Sequence, residues 1–380
     1  MARAPAVAEI EETPESDRLD GFPHPRLTRA LYGQELAERA LIEAFSRGRM
    51  HHGWLITGLQ GVGKATLAYR FAKYLLSDTA ERDPFADTLA VPEEAPAARH
   101  VGALAHPGLL VLRRPYDLKA KRLRTEITIE EARRLRGFLS LTADEGAWRV
   151  VVIDSADELN IPAANAVLKL LEEPPPRTVF LLLSSEPGRL LPTIRSRCRT
   201  LVLEPLGADA LRRAVAQAVA ASGEEVTAAL PSGADWDEIA SLAGGSVRRF
   251  LTLHAAGGLD LNRRILQLFS GLPKIDWGAV HTLGDELSGA AAEERFQLFY
   301  DLLLALLAAL VRASAGGDGS TAIRALAGRV VPETRVVHWA ALWDDISAGK
   351  ATALALNLDR KSLILDTFAR LAAASQSEKR

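Results

Sequence analysis

Cysteine is nearly absent from this sequence, which has a single one, Cys198, among 380 residues. One thiol cannot form an internal disulfide, and it rules out a zinc module built on several cysteines. A reducing cytoplasm fits this composition without being required by it. An excess of charge is lacking too, because 46 basic and 48 acidic residues leave a formal net charge of −2. No global basic field therefore draws the chain onto nucleic acid, and any DNA contact must be local or made through partners.

Long hydrophobic runs are also missing. The longest, from Leu302 to Val311, falls well short of the ~20 residues needed to cross a bilayer. The N-terminus has four glutamates between residues 9 and 15 and no apolar segment, so it is not a secretion signal. We interpret residues 1–20 as a disordered acidic tail, and we expect a cytoplasmic protein with no membrane partner.

Apolar strand patterns alternate with helical periodicity through the first half of the chain. Strands are predicted at 53–57, 108–112, 149–154 and 179–183. Helices are predicted at 26–47, from the end of a glycine-rich loop to residue 75, and at 129–141. Residues 77–108, rich in Pro, Ala, Asp and Glu, are interpreted as an insertion. This alternation predicts a three-layer α/β core that ends near Pro205.

Strand patterns fade after Pro205. Residues 207–257 are predicted to form a small helical unit, and residues 258–380 an all-helical domain with a glycine-rich break at 316–319. With residues 21–206 as the α/β core, this division into three domains fits a chain of 380 residues.

The glycine-rich loop that follows the first strand fits the pattern G-x-x-x-x-G-K from Gly58 to Lys64. Glycines let the backbone wrap closely around phosphate oxygens, and the helix that follows presents a partly positive N-terminus. Lys64 adds a cation that can reach β- and γ-phosphates. The alternative is a glycine-rich turn with no ligand, but the flanking strand and helix favour a phosphate site. Its candidate residues are Gly58, Gly61, Val62, Gly63, Lys64, Ala65 and Thr66.

Metal binding at this loop is expected to be compromised. The residue after the lysine is usually Ser or Thr, whose hydroxyl binds Mg²⁺, but here it is Ala65. Thr66 is turned by ~100° along the helix, so it is a poor substitute. No zinc is expected.

Asp154 ends the buried strand 149–154, at the position where P-loop enzymes hold Mg²⁺ with an aspartate. A hydrolysing enzyme needs a base beside it to orient water, but the next residue is Ser155, which has no basicity near neutral pH. Asp157 and Glu158 lie further on, at a predicted helix start where acidic residues suit the helix dipole. Glu158 is the alternative considered for the base, and its spacing argues against that role. The pattern predicts a site that holds nucleotide and hydrolyses it slowly or never.

Three sequence blocks follow this strand: NAVLKLLEEPPPRT at 165–178, FLLLSSEP at 180–187 and LPTIRSRC at 191–198. In this order, after a phosphate loop, they resemble the NALLKxLEEPP and SRC motifs of bacterial DNA polymerase III clamp-loader subunits, which are AAA+ proteins. The resemblance is strong over residues 22–205, fair to 255 and only architectural beyond. It implies an AAA+ P-loop core, a helical lid and a C-terminal helical collar.

The resemblance also suggests roles for four residues. Arg197 would be an arginine finger that reaches the nucleotide site of a neighbouring subunit, where a forked guanidinium suits a γ-phosphate. Taken alone, Arg197 would be an ordinary surface arginine. Ser184 or Ser185 would be the polar sensor-1 residue beside the γ-phosphate. Arg248, at a predicted helix start, would be the sensor-2 arginine, unless it is simply an exposed arginine there.

Departures from the family pattern bear on the subtype. Many relatives carry four zinc-binding cysteines between the two nucleotide motifs, where this chain has the insertion 77–108 and none. Motor subunits keep a hydroxyl at the position of Ala65 and a glutamate at that of Ser155. This chain lacks both the hydroxyl and the glutamate but keeps the SRC motif, and in this it resembles the delta-prime type.

The function implied is that of a hetero-pentamer subunit, alongside delta and gamma/tau subunits, that supports loading of the sliding clamp onto primer-template DNA. ATP would be the cofactor, with Mg²⁺ left open and own ATPase activity weak or absent. Two alternatives remain: a hydrolysing gamma/tau-type motor or other AAA+ ATPase, and a regulatory nucleotide-binding switch. The basic stretch 113–124 could touch DNA, but a solvated loop is favoured because Tyr116 is its only aromatic residue.

Overall fold

A computed structural model of the chain describes residues 14–82, 87–140, 147–222, 230–356 and 358–376, with only the backbone of Ala290. The described residues fall into two compact units. The first takes in residues up to 222 together with 240–250, and the second takes in 230–239 together with the chain from 251 onward.

A five-stranded parallel sheet forms the centre of the first unit. Its strands are β1 (Gly53–Thr57), β2 (Leu109–Leu112), β5 (Arg149–Ile153), β6 (Thr178–Ser184) and β7 (Arg199–Val202). Their order across the sheet is β2-β5-β6-β1-β7. A short antiparallel ribbon, β3 (Tyr116–Asp117) with β4 (Arg122–Leu123), lies between β2 and β5 in the chain. Because β1 and β6 are buried along their whole length, they carry continuous apolar runs.

Helices cover both faces of this sheet. The helices of the chain up to residue 222 are α1 (Glu35–Ser46), α2 (Lys64–Leu76), α3 (Pro96–Gly102), α4 (Ile129–Ser140), α5 (Ile161–Glu172), α6 (Pro192–Arg195) and α7 (Ala208–Ala220). One core holds α1 and α2 against sheet residues such as Trp54 and Val152, and the other holds α4 and α5 against residues such as Val151 and Phe180. Successive residues of one strand thus point into opposite layers, which confirms the predicted α/β fold class.

All regular structure in the described residues after Val202 is helical. The helices are α8 (Gly233–Ala243), α9 (Val247–Ala255), α10 (Gly258–Gly271), α11 (Trp277–Ser288), α12 (Glu293–Ser314), α13 (Thr321–Val330), α14 (Val336–Leu356) and α15 (Arg360–Ser375). In the second unit, α12 packs against α10, α13 and α14. Helix α12 is long and apolar enough to cross a membrane, but half of its most apolar stretch is buried inside the protein, as in an ordinary core helix. It is weak evidence for a membrane span.

Two local predictions were wrong. The helix predicted at 26–47 begins only at Glu35, because Gly33 adopts φ 73°, a left-handed conformation that breaks helical geometry. Strand β7 was not predicted, since its exposed Arg199 and Thr200 give it no apolar pattern. The three-domain division stays a prediction.

The predicted disordered tail extends too far, because residues 14–20 carry ordered contacts. Glu15 forms ion pairs with Arg26, at 2.7 Å, and with Arg113. Asp17, almost fully buried, lies 2.6 Å from His24 Nε2 and 3.1 Å from Arg113. Residues 1–13 lie outside the described residues. The acidic pattern alone does not indicate this cluster, because Arg113, which pairs with both carboxylates, lies 96 residues beyond Asp17 in the chain.

Hydrogen bonds define the charge state within this cluster. The backbone N–H of Arg26 donates to His24 Nδ1 at 3.0 Å, so the ring proton sits on Nε2 and faces Asp17. Burial lowers the pKa of His24 and keeps the imidazole neutral. Burial alone would raise the pKa of Asp17, but the hydrogen bond from His24 and the charge of Arg113 hold it below its usual value. Asp17 is therefore a carboxylate with Arg113 as its counter-ion.

We predict that Asp17→Asn destabilises the chain by about 2–4 kcal/mol, because it leaves the half-buried Arg113 cation short of its partner. Urea unfolding at neutral pH measures this loss. Asp20→Asn is the matched control, since Asp20 is exposed three residues away. Equal stability of the two variants would contradict a structural role for the cluster.

Candidate nucleotide-binding site

Three separate chain segments meet at one edge of the sheet. Strands β1, β5 and β6 are parallel neighbours, so the residues that follow their carboxyl ends lie side by side. These are the loop beginning at Gly58, the pair Asp154 and Ser155, and Ser185. Ligands of open parallel sheets bind in such a crevice.

The phosphate loop has the backbone conformation that its glycines allow. Gly58, Gly61 and Gly63 have φ angles of 143°, 81° and 107°. A Cβ on Gly58 would lie 2.5 Å from the carbonyl oxygen of Leu203, so a side chain there is excluded. Gly63 leads directly into the first turn of α2, where unpaired N–H groups can face an anion. The loop is thus shaped as the sequence predicted.

Lys64 folds over this loop. Its ammonium donates to the carbonyl oxygens of Gly58 and Leu59 and to Ser185 Oγ, each at 2.8 Å. The bond to Ser185 spans two strands and ties the phosphate loop to the end of β6. Ser184 is fully buried and points away from solvent, so Ser185 is the better match to the polar sensor-1 position.

Burial shifts the pKa values of the two main ionisable groups at this edge, Lys64 and Asp154, toward neutral pH. Burial lowers the pKa of Lys64 to about 8, although the carboxylates of Asp154 and Asp157 oppose the shift. Burial, with the nearby charge of Asp17, raises the pKa of Asp154 to about 7, against the effect of Lys64. Lys64 is therefore a cation at neutral pH, whereas Asp154 without a bound cation is only partly ionised.

Ser155 stands where a hydrolytic glutamate would be needed, and its backbone is unusual. It has φ 56° and ψ 57°, a left-handed conformation that costs a non-glycine residue about 1–2 kcal/mol. Glu158, the other candidate base, forms an ion pair with Arg114 at 2.7 Å. Neither residue is set up as a base beside Asp154.

Ala65 and Thr66 fall as the sequence suggested. Both lie in the first turn of α2, where Ala65 packs against the core and Thr66 is buried. Val62 is buried in the loop, and its carbonyl oxygen accepts a bond from the Gln34 side chain at 3.2 Å. Sequence reasoning missed Gln34, a single polar residue just before α1 with no periodic signal. It placed Asp157 at a helix start, but it did not foresee that the Asp157 carboxylate accepts a hydrogen bond from the Ser185 N–H at 3.2 Å.

The start of α9 lies directly on the phosphate loop. Ser246 Oγ donates to the carbonyl oxygen of Gln60 at 2.7 Å, and the Val247 N–H donates to that of Gly61 at 3.0 Å. Arg248 is so close to the loop that a Cβ added to Gly61 would lie 2.5 Å from the Cβ of Arg248. Burial lowers the pKa of Arg248, while Asp154, Asp20 and Asp17 raise it. Arg248 is thus a cation beside the predicted phosphate position.

Arg197 lies at the other edge of the sheet. It precedes β7, whose Arg199 pairs with Trp54 near the start of β1, whereas the phosphate loop follows the end of β1. The five-residue length of β1 separates them by roughly 16 Å. Arg197 is partly exposed and cannot reach its own phosphate loop. Burial raises the pKa of the neighbouring Cys198 to about 11, so that thiol is neutral and is not a nucleophile.

The residues present fit the phosphates of a nucleotide better than a metal. Lys64, Arg248 and the positive-φ loop supply cations and N–H donors for phosphate oxygens. The Mg²⁺ hydroxyl is missing at Ala65, and the described residues contain no cluster of three His, Cys, Asp or Glu side chains suited to a metal ion.

Comparison with known proteins identifies the region. Residues 33–207 match the sequence model of a family described as DNA polymerase III, delta subunit. The delta' subunit of Pseudomonas aeruginosa DNA polymerase III is 34% identical over 221 residues, 58% of this chain and 61% of that protein. The Escherichia coli delta' subunit is 33% identical over 165 residues, 43% of this chain and 46% of that protein. Residues 33–207 are thus similar to the delta' subunits of DNA polymerase III.

The match covers less than two thirds of these delta-prime relatives. The tau subunit of Escherichia coli is 30% identical over 188 residues, 50% of this chain and 27% of that protein. Among solved structures, a DNA polymerase III gamma subunit-related protein of Thermotoga maritima covers 88% of this chain and 99% of its own, with 18% identity and a TM-score of 0.41. That likeness carries no weight beside the sequence matches.

We predict that this loop binds pyrophosphate more weakly as pH rises through about 8. Lys64 loses its proton there, so binding must restore it, and the apparent Kd should rise by up to about tenfold per pH unit. Calorimetry without metal between about pH 7.5 and 9.5 measures the slope. Lys64→Arg, which stays charged, should flatten it. A flat profile for the unmodified chain would contradict the role of Lys64.

Proposed function

We propose that this chain is the delta-prime-type subunit of a hetero-pentameric clamp loader with delta and gamma/tau subunits, acting in the cytoplasm during DNA replication. It supports ATP-dependent loading of the sliding clamp onto primed DNA. It lends Arg197 to the nucleotide site of a neighbouring motor subunit and does not itself hydrolyse ATP.

The observation that carries this proposal is the separation of Arg197 from its own phosphate loop. The two lie at opposite edges of one sheet, roughly 16 Å apart. If Arg197 is an arginine finger, as the SRC motif implies, it can therefore act only on the nucleotide site of an adjacent subunit. Its side chain is 38% exposed, as such a contact needs.

The lack of a base supports the second half of the proposal. A hydrolytic site must polarise water beside the γ-phosphate, and a hydroxyl at Ser155 cannot accept that proton near neutral pH. Lys64, Ser185 and Arg248 nevertheless converge on the phosphate loop. We infer that ATP, if bound, is held as a structural ligand, and that a motor subunit performs the hydrolysis. This reasoning disfavours the gamma/tau-type motor.

The test is Arg197→Ala in a complex reconstituted with motor subunits, delta, the sliding clamp and primed DNA. Arginine fingers contribute ~10³–10⁵ in rate, so the motor subunit next to this chain should lose its ATPase activity. Total ATP turnover should fall by at least the fraction that this one subunit contributes. Arg195→Ala is the control, because Arg195 is exposed two residues away. Unchanged DNA-stimulated turnover with Arg197→Ala would overturn the finger assignment.

A further inference from the structure

Arg197 is held by two contacts within its own chain. One terminal nitrogen donates to the carbonyl oxygen of Thr193 at 3.1 Å, and the other lies 2.7 Å from Glu172 Oε1. Glu172 is the last residue of α5, and its side chain is 43% exposed. No sequence pattern distinguishes Glu172 from Glu173, and the two glutamates stand together before three prolines.

We propose that Glu172 is a positioning residue for the Arg197 finger. This proposal rests on the proposed function, because it concerns the guanidinium that acts as the finger. An arginine side chain has many rotamers, and freezing it costs entropy at the moment of reaction. A carboxylate and a carbonyl that grip two terminal nitrogens before the neighbour arrives remove part of that cost.

The geometry leaves the guanidinium able to act while it is held. Arginine carries five N–H donors in a rigid fork, and the two contacts use two of them. Three donors remain for phosphate oxygens of the adjacent subunit. Glu172 therefore need not release Arg197 for the finger to work, which favours positioning over withholding.

The backbones that carry the pair are fixed relative to each other. A Cβ on Gly53 would lie 3.1 Å from Cys198 Sγ, 3.2 Å from Leu171 Cδ2 and 3.3 Å from the carbonyl oxygen of Arg197. The absence of a side chain at Gly53 thus lets the end of α5 and the segment before β7 close around the start of β1. Leu171 and Ile194 share one buried core, which holds α5 and α6 together.

A double-mutant cycle in the reconstituted complex tests the proposal. Exposed ion pairs are weak, so Glu172→Ala should lower the Arg197-dependent part of kcat by only about two- to five-fold, with KM for ATP nearly unchanged. Glu172→Gln, whose amide oxygen still accepts a hydrogen bond, should recover most of the loss. In an Arg197→Ala background, Glu172→Ala should have no further effect. Glu173→Ala, at the exposed adjacent residue, is the control.

Each other result counts against Glu172. An unchanged kcat, or an effect that persists without Arg197, would remove the positioning role, and a rise in kcat would mean that Glu172 withholds the finger. Loss of assembly with Glu172→Ala, measured by size-exclusion chromatography, would make the role structural. If Arg197→Ala itself has no effect, the proposed function fails, whereas an effect of Arg197→Ala alone leaves that function standing.

Discussion

The carboxyl edge of the parallel sheet is the constraint on which the rest of the site depends. Five strands running the same way bring a glycine loop, an aspartate and a serine together from positions 58, 154 and 185, which are distant in sequence. The ammonium of Lys64 then bonds to the loop and to Ser185, so one cation joins β1 to β6. Without the parallel register these groups would not meet, and there would be no cradle for phosphate.

The parallel strands also place two different sets of residues at the two edges of the sheet. At the carboxyl edge the chain has cations for phosphate, but it has Ser155 where a base is needed and Ala65 where a metal hydroxyl is needed. At the amino edge, one strand length away, it carries Arg197 in a grip formed by Glu172 and Thr193. A loop with cations for phosphate but no base beside it, together with an exposed arginine at the opposite edge of the sheet, would suit a subunit that completes the active site of another.

Much of this was predictable from local patterns. Buried strands have apolar runs in the sequence, and the phosphate loop has glycines at a fixed spacing. Strands β1, β5 and β6 and the loop were therefore found where they were predicted. The edge strand β7 was missed because exposed strands carry no such pattern. The contacts of Glu15, Gln34 and Glu172 were missed because each depends on a partner that only the fold brings near. The left-handed Ser155 could not be foreseen, since serine has no preference for that conformation.

We infer that the chain retains a phosphate cradle but does not itself hydrolyse ATP. Steady-state ATP turnover by the purified chain alone, with Mg²⁺ present, tests it most directly. We predict no turnover above the background given by Lys64→Ala. Sustained hydrolysis by the isolated chain that Lys64→Ala abolishes would contradict the account and make the protein a motor.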